Sequence, residues 1–558
     1  MKLGLGFGVV SVTVAAVAFG CSPAASRKPA GSPTETTSSS ASTTDATSGN
    51  VGGIDGWYYA PTPGRSLARL RANLEGAPTA VAAVDHFVST IKPFDLEQPI
   101  YGYTKSGVVL GSYALRPEVA AQIKSTGWDG KNECAPQQVK GAMRLICTSH
   151  GDLSDEMKAE TEKYGSEKAT TDLHMEMGAA AWAKANALFA SIAGPSGRPI
   201  LSSGDFGKTS FDVLLEGTPE LRASIHLNDK GPLAKALLEA PVAPPPSSFF
   251  KMPKDAELAL YMHAPAAEEQ AATKAAFFDL IMNQAFEGCT DAEKQWARSE
   301  FEKLFFTGGD VSIAIGFDRA RSEGAAGAVV GAPSDKRKAK AFHDTAQPWI
   351  LVALDEPAER WSKGLSTVIN GRCKTDTKTK GAKKPRVARK PSARGGALPA
   401  GTLVLPATDD TSDTFVIMPD KSQGKERTWI AFGHGEALLT DRLRNVASGG
   451  TENSLAARPA VASLKTPATF AGFVTPVFFA FLDESDKAPV KSALRLVRAK
   501  NLATGGRTPL LFRAAVIRDE RAGGDLNVRI TASGATISDF FAIEGPKEAA
   551  NDGESDQQ

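Results

Sequence analysis

Apolar and polar positions alternate in three paired runs: "SFDVLLEGTPELRASIHLND" (210–229), "GGDVSIAIGFDRARSEGAAGAVVGA" (308–332) and "PLLFRAAVIRDERAGGDLNVRITA" (509–532). Each is broken by a polar or glycine-containing turn, and a period of two with such a break predicts an antiparallel hairpin. Helical spacing follows the first two, in "KGPLAKALLEA" (230–240) and "PSDKRKAKAFHDTA" (333–346). A strand passing into a helix is read three times, within 170–194, 255–286 and 467–497. The pattern predicts an α+β protein of repeated modules, each an antiparallel sheet covered by helices on one face.

One stretch repeats without a gap. Aligning His150 with His434 sets "AMRLICTSHGDLSDEMKAETEKYG" over "ERTWIAFGHGEALLTDRLRNVASG". Both run from an apolar stretch containing Ile146 or Ile430 through His-Gly and an acid, Asp152 or Glu436, to a helical segment closing on Gly165 or Gly449. Strand, turn, helix and helix-ending glycine is the reading, with the acid in the first helical turn, where unpaired N–H groups favour negative charge. His150 and His434 are thereby assigned to architecture, as markers of a duplicated module. The Pro-rich "APVAPPPSSFFKMP" (240–253) is the clearest internal boundary. It divides the folded part into a first α+β domain, 54–240, and a second, 249–546, joined by a linker at 241–248 and followed by an acidic tail at 547–558.

The N-terminus changes the address. "MKLGLGFGVVSVTVAAVAFGCS" has one basic residue, an apolar run too short and Gly/Ala-rich to favour a spanning helix, and Gly20 before Cys21, so residues 1–20 read as a secretion signal. It resembles the signal of bacterial lipoproteins, which implies cleavage before Cys21 and lipidation of that residue; Ala18 and Phe19 depart from the motif. Residues 22–53, rich in Ser, Thr, Pro and Gly, form a flexible tether. Such a chain is anchored to a membrane and does not cross it. Ser22 after the cysteine, by resemblance to lipoprotein sorting, favours the outer membrane, with the periplasmic and surface orientations both open. The remaining cysteines, Cys134, Cys147, Cys289 and Cys373, are even in number. In an exported chain this predicts disulfides, with the sequence-near pairs Cys134–Cys147 and Cys289–Cys373 chosen among three connectivities and buried free thiols as the alternative.

Apolar content of 42% and charged content of 23% are those of a globular protein. The net charge of +1 hides a basic run, residues 372–396, within an insertion reaching residue 400, that carries ten Lys/Arg against one Asp. Lys378, Lys380, Lys383, Lys384, Arg386, Arg389 and Lys390 are candidates for contact with an anionic envelope component. The run lacks interleaved aromatics, so nucleic acid is not expected, and a solvated, disordered insertion also accounts for it.

The unit "WIAFGHGEALLTDRLRNVASGGTENSLAARPAVASL" resembles a family of uncharacterised bacterial exported proteins that place G-x-x-E-x-L and S-L-A-x-x-P before helices, here Gly433 to Leu438 and Ser454 to Pro459. The resemblance implies a repeated extracytoplasmic α+β module and brings no catalytic residues with it.

Catalytic signatures are sparse. Gly207-Lys208-Thr209 lacks the preceding glycine of a phosphate loop and leads into a strand pattern. Ser89-x-x-Lys92 and Ser422-x-x-Lys425 have the spacing of penicillin-recognising acylases, but neither starts a helix. Gly-x-Ser-x-Gly, His-Glu-x-x-His and closely spaced Cys/His sets are absent, so no metal or cofactor is expected. The aromatic "IDGWYYAPTPG" (54–64) at the start of the first domain is read as packing, with sugar stacking as its alternative. The expectation is a non-enzymatic, lipid-anchored binding or scaffolding protein. An envelope hydrolase with dispersed carboxylates would show a deep cleft of converging acids. A carrier or chaperone of apolar cargo would show an apolar concavity between helix layer and sheet.

Overall fold

The structure is a computed structural model. It describes residues 54–544 apart from 129–132, 150, 180–205, 229–231, 265–289, 305–308, 371–387, 392–396, 407–412, 422–425, 483–488 and 520–522. Up to residue 240 the strands are β1 (Gly56–Ala60), β2 (Ile100–Lys105), β3 (Val108–Ala114), β4 (Cys134–Val139), β5 (Ala142–Thr148), β6 (Leu173–Met177), β7 (Phe206–Leu214) and β8 (Glu220–Leu227). Helices α1 (Pro63–Asn73), α2 (Pro78–Thr90), α3 (Pro117–Thr126), α4 (Asp155–Lys163) and α5 (Pro232–Glu239) lie between or after them. The first three open on proline, whose missing N–H costs nothing in the first helical turn.

Beyond α6 (Ser247–Lys251) the strands are β9 (Leu258–Ala264), β10 (Gly309–Phe317), β11 (Pro348–Leu354), β12 (Leu403–Pro406), β13 (Asp413–Asp420), β14 (Arg427–His434), β15 (Phe470–Val474), β16 (Leu510–Arg518) and β17 (Gly524–Ala532). Their helices are α7 (Asp291–Leu304), α8 (Arg319–Val330), α9 (Lys336–Thr345), α10 (Ala358–Asn370), α11 (Glu436–Ala447), α12 (Pro476–Leu482), α13 (Pro489–Asn501) and α14 (Gly534–Glu544).

Every pairing is antiparallel, and together they form one sheet in the order β4-β5-β3-β2-β1-β6-β7-β8-β17-β16-β15-β9-β10-β11-β14-β13-β12. Read outward from the middle, the two halves have the same order. β1 to β8 of the first correspond to β9, β10, β11, β13, β14, β15, β16 and β17 of the second, and β12 is an added outer strand. The correspondence extends to single hydrogen bonds. Asp55 N–H donates to Thr104 O and Gly178 N–H to Asp55 O, both at 2.8 Å. In the second half Glu257 N–H donates to Ile315 O and Thr475 N–H to Glu257 O, again at 2.8 Å.

The halves meet where β8 pairs with β17, its own counterpart. Met177 aligns through Thr209 to Ile225, and Val474 through Leu510 to Ala532, so Arg222 and Arg529 are equivalent residues. These two face each other directly, with Leu221↔Ile530 on one side mirrored by Ala223↔Val528 on the other. A local two-fold axis therefore passes between two arginines. Like charges directly opposite are destabilising, and the carboxylate of Glu220, only 7% exposed, bridges the Nε of Arg222 and the Nη2 of Arg529.

This seam alters the expected division into two domains. The sheet runs past residue 240 unbroken, because an edge strand with unpaired N–H and C=O groups seeks a partner. The proline-rich stretch is also no free linker. Ala243 pairs with Ala468, and Phe249 of α6 and Met252 just after it, both 0% exposed, enter the second core.

The α+β class holds, but the second half covers both faces of its sheet. Ala259 and Tyr261 pack with Phe249, Trp349, Trp429 and Leu439 on one face. Leu258, Leu260, Ile315 and Phe317 pack with Phe478 and Phe481 on the other. Strands buried on both faces lose their alternation, and β9 reads Leu-Ala-Leu-Tyr-Met-His-Ala.

The hairpins over 210–229 and 509–532 are β7–β8 and β16–β17. That over 308–332 is instead β10 followed by α8, whose first turn is capped when Asp318 accepts from Arg321 N–H. β5 and β14, with the helices after them, are equivalent, but the glycines differ. Gly449 ends α11 with φ +65, whereas Gly165 lies in a 3-10 turn, where a Cβ would strike the Tyr101 ring at 2.6 Å. Glu436 is in the first turn of α11; Asp152 precedes α4, which is capped by Ser154 and carries Asp155 and Glu156 there. Cys134 and Cys147 are bonded across β4–β5, while Cys289 and Cys373 lie outside the described residues.

Replacing Glu220 by Gln should lower the thermal midpoint by the equivalent of about 1 kcal/mol, because the two half-exposed arginines then face each other without a negative charge between them. Adding Arg529→Gln should restore part of it. Calorimetry of the single and double variants checks this, and an unchanged midpoint in the single variant would show that the seam does not depend on the bridge.

Candidate functional site

In the first half the helix layer does not close on the sheet. Helix α1 presents Pro63, Ser66, Leu67 and Leu70 along one side, the spacing of a helical stripe, and α2 presents Phe87, with Ile91 just beyond its end. Below them lie Ala60 of β1, Tyr113 of β3, Leu173 of β6 and Val213 of β7. These side chains surround a cavity of about 310 Å³, which Phe94, Leu96, Ile100 and Leu215 complete. Leu67, Leu70, Leu173, Val213 and Leu215 stay half-buried and Phe87 is 51% exposed, although all face the same space. The equivalent floor positions of the second half, Ala514 and Val516, are buried beneath Ala234 and Leu238 of α5.

The polar groups at this cavity are already committed. Asp172, 7% exposed, accepts from Ser66 Oγ at 2.8 Å and Arg69 Nη1 at 2.9 Å through one oxygen, and from Leu215 N–H at 2.7 Å through the other. Burial pushes its carboxyl up, but the hydrogen bonds from Leu215, Ser66 and Arg69 outweigh this and hold it below the usual range. Asp172 thus ties one end of α1 to the sheet. At the other end, Leu74, Ala77 and Ala80 pack against Ile537 of α14, and Ser538 Oγ donates to Asn73 O at 3.2 Å.

A second cavity of about 570 Å³ opens outward and shares Leu67 and Leu96 with the first. Leu67, Ala68, Val84, Val88, Leu96 and Pro117 line it together with charged side chains. Arg71 of α1 pairs with Asp85 of α2 at 2.8 Å, holding that carboxyl low, and Asp95, Glu97, Arg116 and Glu118 line the rest.

The residues singled out in the sequence lie elsewhere. Cys21, Lys378, Lys380, Lys383, Lys384 and Arg386 fall outside the described residues. Arg389 is engaged: its backbone pairs with Val404 on the outer edge of β12, and its guanidinium binds the Glu436 carboxylate at the start of α11. Arg389 and Lys390 are the two members of the set among the described residues, and both are exposed. Both sit at the opposite end of the sheet from the cavity.

Four histidines are explained by the ladder. His174, His226, His263 and His434 each stand directly opposite an aspartate on the neighbouring strand, Asp212, Asp525, Asp310 and Asp413. Their Nδ1 atoms lie 2.8, 3.1, 2.6 and 3.5 Å from those carboxylates. The aromatic stretch is packing: Trp57 stacks on Tyr164 and donates to Glu176 at 2.8 Å. Gly207-Lys208-Thr209 lies within β7, and Ser89 Oγ donates to His86 O at 2.6 Å. Among the described residues no group of three or more His, Cys, Asp or Glu could hold a metal ion, and no helix is long and apolar enough to cross a membrane.

No family model and no curated protein matches the chain. Among solved structures, one titled "Structure of crystal form III of TP0453" aligns at 13% identity over 32% of this chain and 76% of that one. Its TM-score of 0.18 is too low to support an argument about fold or function.

Because the Asp172 carboxyl is held low, its contribution is present above the ordinary aspartate range, near pH 4, and is lost as the pH falls through its folded value. Amide protection across Pro63–Asn73, taken relative to the intrinsic exchange rate at each pH, should therefore fall at acid pH, and Asp172→Asn should show the same loss at pH 7. Equal protection in variant and wild type at pH 7 would contradict the role given to Asp172.

Proposed function

We propose that the protein is a non-enzymatic, membrane-tethered binding protein that holds an apolar chain between α1–α2 and the sheet. The observation that carries this reading is the cavity of about 310 Å³. It has the size of the smaller ligand sites, which fall at about 300–1,000 Å³. Val213 and Leu215 face this space, whereas their second-half counterparts Ala514 and Val516 are covered by α5. Transferring a hydrocarbon chain into such a space removes apolar surface from water on both partners, at about 25 cal/mol per Å². A concavity between helix layer and sheet is what a carrier of apolar cargo needs, and this supports the reading.

The tethered part of the reading rests on the sequence. Cys21 carries the lipid, residues 22–53 give the folded body reach, and the body faces the periplasm or the cell surface of the outer membrane.

Two variants test the binding claim. Leu67→Trp and Val213→Trp each place an indole into the cavity and should abolish uptake of a fluorescent long-chain hydrocarbon probe, with the thermal midpoint unchanged or raised. Undiminished uptake in both would remove the cavity as the site. Cys21→Ala should move the protein from the membrane fraction to the soluble one, and retention in the membrane fraction would refute the anchor.

A further inference from the structure

The floor of the apolar cavity is a single row of the sheet. Ala60 stands opposite Ile100, and Leu173 opposite Val213. The pairs Tyr59–His174 and Tyr101–Ser112 put Ala60 opposite Leu173 and Ile100 opposite Tyr113 at the next step of each ladder. Tyr113, Ile100, Ala60, Leu173 and Val213 therefore lie side by side on β3, β2, β1, β6 and β7 and project from one face. All five line the cavity, and all five stay half-buried.

A row across five strands takes four interstrand steps, about 19 Å at ~4.8 Å each. The volume of about 310 Å³ spread along that length leaves a cross-section of about 16 Å². Carbon atoms in contact sit ~3.5–4.0 Å apart, so one hydrocarbon chain takes up roughly that section, and a branch or a second chain exceeds it. Capacity agrees with length. A cavity of about 150 Å³ holds the six carbons of benzene, so one of about 310 Å³ holds about twice as many. A zigzag of a dozen carbons, with bonds of ~1.5 Å, spans roughly 14 Å and fits within the row. Phe94 backs Tyr113 at one end, their ring centroids 5.2 Å apart, and the polar side chains of Ser66 and Asp172 in the wall are bonded to each other. The middle of the row is Ala60, whose counterpart in β9 is Met262, set opposite Phe470 where the first half has Leu173.

We propose that the cavity holds one unbranched alkyl chain of about a dozen carbons, laid across the strands along this row. This rests on the apolar-chain reading above and adds the width and length of the chain.

The test titrates the full chain carrying Cys21→Ala by calorimetry with linear 1-alkanols from hexanol to hexadecanol, and with 2-butyl-1-octanol, a branched isomer of 1-dodecanol. Affinity should rise about fourfold per added carbon and level off near dodecanol. The linear isomer should bind about tenfold tighter than the branched one. Ala60→Met gives the row the side chain that its second-half counterpart carries, and should move the plateau to shorter chains while hexanol binding and the thermal midpoint are retained. Equal affinity for the two isomers, or a rise that continues to hexadecanol, would overturn the single-chain proposal without recourse to the variant and leave the cavity reading standing. A plateau unmoved in a folded Ala60→Met variant would overturn the placement along the row. If no alkanol binds, the apolar-chain reading falls and this one falls with it.

Discussion

Two strands that are copies of one another can complete each other's hydrogen bonds only about a two-fold axis, and the architecture depends on that constraint. β8 and β17 occupy the same place in equivalent halves, so each would otherwise end its half with a row of unpaired N–H and C=O groups. Pairing them antiparallel puts Arg222 against Arg529 and leaves one carboxylate, Glu220, to hold both. The arrangement is that of an isologous dimer interface within a single chain. The counterpart of Glu220 in β17 is Asn527, so the bridge itself is not duplicated.

Joining the inner edges leaves two outer ones, and each is managed differently. β4 carries Pro136, which cannot donate to a further strand, and is fastened to β5 through Cys134 and Cys147. On the other side β12 is added beyond the duplicated set, and Arg389 bridges to its outer edge through both backbone groups. The described end of the basic segment thus serves the sheet. A charge run read from composition alone gives no hint that one of its arginines pairs with Glu436.

The sequence disclosed the class and one point of the duplication. His-Gly recurs because a strand-to-helix turn constrains its residues tightly, while the strands around it tolerate any apolar side chain of suitable size. Hairpins with polar turns are legible for the same reason; over 308–332 the Gly-Ala-Val run of α8 mimics a strand, and its start is marked only by the cap at Asp318. Pairing between β8 and β17 was not legible, since nothing local marks which distant strand will satisfy an edge. The cavity was hidden for a related reason. Its lining is gathered from β1, β3, β6, β7, α1 and α2, and the local clue is the pair Leu67 and Leu70 on an otherwise basic helix.

The clamp on α1 has a consequence in time. The residues that finish the first half, β17 at its edge and α14 against Leu74 and Ala80, are the last described elements of the chain. About 300 residues separate β8 from β17, roughly 15–60 seconds of synthesis at ~5–20 residues per second. During that interval the first half exists with an open edge and an unclamped roof over its apolar floor. The cavity is therefore the last part of the molecule to be completed, and a chain interrupted before residue 534 has its lining without its lock.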